Sequence, residues 1–444
     1  MDLRFAQHSK LTHRAKLVFV SLVAIVVVLS FFLAHNFIDF PVYYAAGRSL
    51  LSGRTDLYSP DFALGRVMDY RYPPFFLLAL FPLWHLPYHI AAYVWSLLQA
   101  IEIVGCAVIV GRIFHASRSM WLAVAFAASP YFVMALHYGN AQLLVVFLMF
   151  ASFYYVLRRR DIAAAVLMAL AITIKLTPIL LLPYFAVKKR WTMLAAVVVF
   201  LTAINIAPSA YFGFRENNQL LKTWYEHVVV SQEFHEENGP INLSLKGELR
   251  RYLSSVDYSQ RIDGDVNYPA MNCASVSRDR VVTGWAISAT VIFIGVLLLM
   301  WRFDKPLIGV QDGEAHDANR DELMPLELSV MICLILFIGP LTSKIYFTAL
   351  LWPLACLAEL ATDRSDRDGR LGRYALLFLA AANCVLPLLP GRSIQRLLLV
   401  LGADFYLNCL LMMCLLYLLI ARRRLHRIQS GESQTPALPA AKTP

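Results

Sequence analysis

Charge is what this chain has little of. Asp, Glu, Lys and Arg together supply 16% of its 444 residues, whereas an average soluble chain is about a quarter charged. A globule of 50.2 kDa could not wet its surface with so few ions. That excludes a soluble enzyme, a nucleic-acid-binding domain and a disordered scaffold. Cysteine is also sparse and badly placed for cross-linking. Six of the seven (Cys106, Cys333, Cys356, Cys384, Cys409 and Cys414) fall inside apolar stretches, and only Cys273 lies in a long polar segment, so no disulfide framework is expected. No repeat of solenoid length is present, and the single low-complexity stretch is the Pro/Ala/Ser/Gln-rich tail after Gln429.

What is present is apolar surface. Hydrophobic residues make up 59% of the chain and the mean hydropathy is +0.57, values that belong in a bilayer. The net charge of +10 comes from short basic runs beside apolar segments, Arg158-Arg159-Arg160, Lys188-Lys189-Arg190 and Arg422-Arg423-Arg424. Such runs mark cytoplasmic loops; they do not form the stripe that follows a phosphate backbone, so no nucleic-acid partner is expected.

A membrane-crossing helix takes roughly 20 apolar residues. The pattern predicts spans at 17–34, 89–111, 119–136, 141–157, 191–208, 281–301, 325–341, 345–361, 373–389 and 403–421, with 161–187 broken by Lys175 and Pro178 into two short ones. The expectation is an all-α polytopic membrane protein of about twelve helices by that length rule. Residues 1–428 form one transmembrane domain, and 429–444 form a disordered cytoplasmic tail. The first apolar run, preceded by Arg4, Lys10, Arg14 and Lys16, is read as a retained span, since no small-x-small cleavage site follows it.

Residues 73–87 decide the topology. They are apolar but short and carry four prolines. If they only dip into the interface, the basic runs all stay cytoplasmic, together with most of the Lys and Arg residues; if they span, the runs move outside. The charge rule selects the dip. Both termini are then cytoplasmic, and two long extracytoplasmic segments appear at about 35–88 and 209–280. The polar residues that a plain bundle would not need all fall on that outer side: Asp39, Arg71, His137, Asn140, Gln142, Lys175, Asn242 and Lys344. Glu102 is the exception, an acid inside a predicted span; it pairs within the bundle or marks a site.

Several of these segments, in order, resemble glycosyltransferase family 87. They are Asp39-Phe40-Pro41-Val42-Tyr43-Tyr44, Leu50-Leu51-Ser52-Gly53, Asp56-Leu57-Tyr58, Tyr70-Arg71-Tyr72-Pro73-Pro74, Gly139-Asn140-Ala141-Gln142, Lys175-Leu176-Thr177-Pro178 and Asn242-Leu243-Ser244-Leu245-Lys246-Gly247. The third from last is similar to the family's Gly-Gln-x-Asn turn with its amides exchanged. Ser343 and Ile345 stand where many relatives carry Trp and His. The resemblance implies a GT-C-type bundle with extracytoplasmic juxtamembrane helices in a bacterial inner membrane. It implies transfer of a hexose, mannose by analogy, from a polyprenyl-phosphate donor to a glycolipid or glycan hydroxyl, with inversion and without cofactor or metal.

Such a reaction needs a base for the acceptor hydroxyl and cations or hydrogen bonds for the departing phosphate. Asp39 is the expected catalytic base; an ordinary solvated loop acid is the other reading of its position. Lys175, Lys344 and Arg71 are the candidate phosphate cations, although a lysine at a span end also snorkels for purely structural reasons. Tyr43, Tyr44, Tyr72, His137, Asn140, Gln142 and Asn242 are candidate sugar or acceptor contacts; interfacial tyrosines and a helix-capping asparagine are the competing structural roles. Asp263-Gly264-Asp265 has the Asp-x-Asp form of a metal site but reads as a solvated turn, and Glu233, His235, Glu236 and Glu237 lack metal spacing. A transporter or flippase is the alternative class. It would show broken helices or midplane charges in two related halves, and the Lys175/Pro178 break has no counterpart in the second half.

Overall fold

The computed structural model describes residues 36–58, 70–230, 242–255, 271–304, 323–362 and 367–432, together with Val28 and Phe32 of the first apolar run. The rest of the predicted span at 17–34, the middle of the 209–280 loop and the tail from 433 lie outside the described residues, as do Asp263-Gly264-Asp265 and the Glu233–Glu237 stretch. Among the described residues all regular structure is helical. Six helices are long and apolar enough to cross a membrane: Tyr88–Ile113, Arg118–Tyr138, Trp191–Phe212, Arg278–Trp301, Arg367–Leu388 and Ala403–Arg424. Each coincides with an expected span. Shorter apolar helices occupy 142–157 and 324–338, where full spans were expected, and 161–174 and 177–187, the two short pieces expected on either side of the Lys175/Pro178 break. The apolar runs were read correctly there, but turns cut the helices below crossing length.

Short helices precede the bundle: α1 (Phe40–Leu51), α2 (Pro74–Ala79) and α3 (Phe81–Trp84). Neither α2 nor α3 is long enough to span, because Pro74 starts one and Pro82 sits at the start of the next. The bundle follows: α4 (Tyr88–Ile113), α5 (Arg118–Tyr138), α6 (Gln142–Leu157), α7 (Asp161–Ile174), a 3₁₀ turn at Thr177–Leu181, α8 (Leu182–Val187) and α9 (Trp191–Ile206). After α10 (Ser209–Phe212), α11 (Phe214–Trp224) and α12 (Leu245–Leu253) come α13 (Arg278–Asp304), α14 (Met324–Ile338) and a 3₁₀ segment, Lys344–Leu350. The chain ends with α15 (Leu351–Leu360), α16 (Arg367–Val385), α17 (Arg392–Val400) and α18 (Ala403–Glu432).

Burial separates core helices from lipid-facing ones. In α14 nearly every residue from Met324 to Ile338 is buried, so it runs through the centre, packed on α18. By contrast α9 buries only Met193 and Val197, while Val198 and Val199 are 62% and 63% exposed. Apolar side chains open to that extent are a surface for acyl chains. Around the centre, α6 packs on α4 and α7, α7 on α9, and α5 on α16 and α15. Two of the basic runs adopt the same tight turn, with Arg159 and Lys189 both at φ 56°, and the Arg190 guanidinium meets Asp161 at 3.2 Å to brace one turn against the next helix.

These short helices fold onto the bundle through aromatics. Along α1, Phe40, Tyr43, Gly47 and Leu50 are buried on one face, as the helical period dictates. Gly47 is needed because a Cβ there would run into the ring of Trp84. The Phe40 ring stacks on Trp95 with centroids 5.7 Å apart, and Tyr72 stacks on Phe76 at 4.6 Å. Such pairs contribute about 0.5–1.5 kcal/mol each beyond simple burial. They fasten the start of α1 against α4.

Candidate active site

Two chain turns meet where α1 begins. The first is the α1 N-terminus, whose backbone N–H groups at Ile38 and Asp39 both donate to the Tyr138 carbonyl, at 3.2 and 2.8 Å. The second is the turn between α5 and α6. Gly139 closes α5 in the left-handed conformation, φ 63° and ψ 31°, which a residue without Cβ adopts freely. A Cβ at that position would also strike the Phe37 ring at 2.7 Å. The Trp95 indole N–H donates to the Gly139 carbonyl at 2.8 Å, and the Gln99 amide donates to the Asn140 carbonyl at 3.2 Å. Helix α4 therefore holds this turn from behind.

Asp39 stands at the N-cap position of α1, yet its carboxylate makes no capping bond. It accepts instead from Asn140 Nδ2. The far side of the same amide, Asn140 Oδ1, accepts from the Gln142 backbone N–H at 2.8 Å and from Lys175 Nζ at 3.2 Å. Lys175 also donates to Gln142 Oε1 at 2.9 Å, and its ammonium lies 4.0 Å above the Tyr346 ring. Because Nδ2 can only donate and Oδ1 can only accept, the Asn140 amide has one orientation that serves both ions. An acid and a base are thus held at opposite ends of one side chain.

Burial sets the charges of this pair. Desolvation pushes the Asp39 carboxyl above its ordinary range, opposed by the Asn140 hydrogen bond and by the Lys175 and Arg71 cations. Lys175, in the turn between α7 and the following 3₁₀ segment, is brought down to about 7 by desolvation, with Asp39 opposing. Asp39 therefore keeps its proton to higher pH, and Lys175 loses its own at lower pH, than the same groups do in water. Behind Asp39, the Tyr43 and Tyr72 hydroxyls share a 2.8 Å hydrogen bond, and burial raises both phenols far above their usual range.

An apolar cleft with a cavity volume of about 40 Å³ leads away from Lys175. Gln142, Lys175 and Tyr346 stand at its polar end, and Met149, Ile332 and Leu336 lie along its wall. The arrangement sets an ammonium and an amide at one end of an apolar wall.

The expected site residues divide into groups. Asp39, Asn140, Gln142 and Lys175 converge, with Tyr43 and Tyr72 packed beside them, and the Arg71 charge acts on Asp39 and Tyr346. Lys344 is elsewhere: its ammonium pairs with Asp404 at 3.2 Å. Asn242 is consumed by a latch. Its Oδ1 accepts from the Thr342 N–H and from the Ser244 hydroxyl, at 3.0 and 2.8 Å, and its Nδ2 donates to Pro340 at 3.0 Å. The Tyr44 hydroxyl donates to the Leu86 carbonyl, and His137 is half-buried, edge-on to Tyr138. Tyr346 was not among the expected contacts. A tyrosine near a span end is the default at a membrane boundary, so only the fold reveals the ring beneath Lys175. No group of His, Cys, Asp and Glu among the described residues could hold a metal ion.

Comparison with known proteins adds the following. Residues 70–311 match the sequence profile of glycosyltransferase family 87, more than half of the chain. A polyprenol-phosphate-mannose-dependent alpha-(1-2)-phosphatidylinositol pentamannoside mannosyltransferase of Mycobacterium tuberculosis is 28% identical over 187 residues, 39% of this chain and 41% of that protein. The Mycolicibacterium smegmatis protein of the same description is 27% identical over 185 residues, 39% of this chain and 43% of that one. The matched part spans only about two-fifths of these relatives. Among solved structures, ArnT from Cupriavidus metallidurans bound to undecaprenyl phosphate aligns over 95% of this chain and 79% of that one, at 17% identity and a TM-score of 0.38.

Proposed function

The chain belongs to glycosyltransferase family 87, and on that premise we propose that it moves a hexose, mannose, from a polyprenyl-phosphate donor to a hydroxyl of a lipid or glycan acceptor. The reaction takes place at the extracytoplasmic face, with inversion, and Asp39 is its base. The observation that carries this reading is the Asp39–Asn140–Lys175 bridge, with the apolar cleft opening beside its cationic end. The mannosyltransferases similar to this chain are named for a polyprenol-phosphate-mannose donor, and a phosphate head with a long hydrocarbon tail is the chemistry that such a cleft fits.

In this mechanism the acceptor hydroxyl attacks the anomeric carbon from the face opposite the phosphate. Its proton passes to Asp39 as the new C–O bond forms, a step worth roughly 10²–10⁴ in rate. The bond from the anomeric carbon to the phosphate oxygen breaks, and its electron pair leaves with the polyprenyl phosphate. The Lys175 ammonium, a compact point charge, stabilises the added negative charge, with Arg71 contributing from further off. No general acid is required, because the leaving phosphate monoester is itself a stable anion at neutral pH (second pKa about 6). Asn140 keeps the acid and the ammonium apart: without it, direct contact would lock Asp39 as a spent ion-pair partner.

The test is incubation of the purified, detergent-solubilised protein with labelled polyprenyl-phosphate sugars and a membrane extract. Polyprenyl-phosphate mannose is expected to be consumed and its label to appear in a glycolipid or glycan with inverted anomeric configuration. Detergent removes any second compartment, so a pure transporter would turn over nothing. Failure to consume any donor of the panel would overturn the reading.

A further inference from the structure

Helix α4 carries polar groups that the mechanism above does not use. Trp95, Gln99 and Glu102 follow one another at spacings of four and three, and so share its buried face. The first two hold the Gly139-Asn140 turn, through the indole N–H and Gln99 Nε2 respectively. Glu102 lies one turn deeper, 6% exposed, within the span Tyr88–Ile113. Both Gln99 Oε1 and Glu102 Oε2 are buried acceptors without a hydrogen-bond partner, and the Ser96 hydroxyl on the flank of the same face is a third.

Two buried acceptors left unpaired forfeit the hydrogen bonds that water would give them. Side chains three apart on a helix have Cβ atoms about 5–6 Å from each other, a gap that a Gln and a Glu side chain can close. A carboxylate facing an amide oxygen would repel it, whereas one proton between them satisfies both. The orientation of the Gln99 amide matters to the site as well. Turned over, it would set Oε1 against the Asn140 carbonyl, acceptor against acceptor, and loosen the residue that separates Asp39 from Lys175.

We propose that Glu102 is a positioning residue which, as the carboxylic acid, donates a hydrogen bond to Gln99 Oε1. It thereby keeps Gln99 Nε2 on the Asn140 carbonyl and Asn140 aligned between Asp39 and Lys175. The effect on catalysis rests on the proposed function; the hydrogen bond itself does not.

Infrared difference spectra of the full-length wild type against Glu102→Gln test the hydrogen bond directly. The expected spectrum contains the carbonyl stretch of a protonated carboxylic acid. That band moves to higher frequency in Gln99→Leu, where the acceptor is gone, and stays in place in Ser96→Ala. Absence of the band, or a shift with Ser96→Ala in place of Gln99→Leu, would overturn the proposal even if the wild type showed no transferase activity at all. With an active donor, Glu102→Leu and Gln99→Leu should each lower kcat by about tenfold at unchanged donor KM, a loss typical of misplacement and not of lost binding. The double variant should be no worse than either single one, and Glu102→Gln, whose amide can donate, should stay within about threefold of wild type by the same reasoning. Additive losses, or full kcat in Glu102→Leu, would contradict it; should Glu102→Leu fail to fold, the infrared shift in Gln99→Leu still decides.

Discussion

Two buried acids sit toward opposite ends of the structure around α14, and their surroundings differ in kind. Glu327, near the start of α14, is fully enclosed and fully satisfied. Lys188 Nζ approaches it at 2.7 Å, Arg423 at 2.7 Å and the Tyr184 hydroxyl at 2.9 Å. Asp39 is half-buried and receives a neutral amide, with Lys175 one side chain away. The first arrangement gives both carboxylate oxygens to two cations and a hydroxyl, from the turn after α8, α18 and α8, and so fastens those parts to α14. The second leaves a carboxylate met by a neutral amide, with the cleft lined by Lys175 on the far side of that amide. That difference in partners separates a staple from a candidate base.

The comparison can be broken most severely at Glu327. Glu327→Leu strands Lys188 and Arg423 in the interior, and removing one partner of a buried ion set costs about 3–5 kcal/mol. Thermal unfolding in detergent should show a much lower midpoint, whereas Asp39→Asn should leave the midpoint within experimental scatter. Equal destabilisation by the two changes would erase the distinction. Next in size is Lys175→Met, which removes a charge aimed at the departing phosphate. Its kcat should drop by about 10²–10³, the range for loss of one preorganised electrostatic contact; a change confined to donor KM would make Lys175 a ground-state anchor only.

The pH profile sharpens the same contrast. Asp39 acts as a base only above its own pKa, which burial raises, so kcat/KM should climb with pH through a value higher than that of an ordinary carboxyl. Lys175 contributes only while protonated, so kcat/KM should fall as pH passes about 7. A donor phosphodiester keeps one negative charge throughout, and both limbs then belong to the free protein. Lys175→Arg should move the alkaline limb out of range, because guanidinium keeps its proton. The smallest effect is expected at Lys344. Its pair with Asp404 is part-exposed, with Lys344 at 26%, and such pairs contribute about 0–1 kcal/mol. Lys344→Met should change kcat/KM by less than about threefold; a larger loss would bring Lys344 into the donor site.

The legibility of these regions from sequence follows the same divide. Long apolar runs and the proline-broken stretch at 73–87 are properties of the chain taken piece by piece, and the helices follow them. Charge bias sorts loops by side but says nothing about which of them touch. Lys175 and Lys344 look alike in sequence, each a lysine at the outer end of an apolar run. One meets Asn140, 35 residues earlier, and the other meets Asp404, 60 residues later, and only the fold tells them apart. Asn242 belonged to a recognisable motif, yet its amide is used up in holding the 340–342 turn. The Glu327 cluster was missed altogether, because Lys188 and Arg423 were already explained as topology signals. A lone Glu near the end of an apolar run was the clue available.

The most direct measurement is single-turnover transfer from labelled polyprenyl-phosphate mannose by purified wild type and Asp39→Asn, with donor binding measured in parallel. Wild type should convert the bound donor, and the variant should bind it as tightly while transfer falls by about 10²–10⁴, the span expected for loss of a general base. Transfer by Asp39→Asn at the wild-type rate would contradict the assignment of Asp39 and, with it, the site built around the Asn140 bridge.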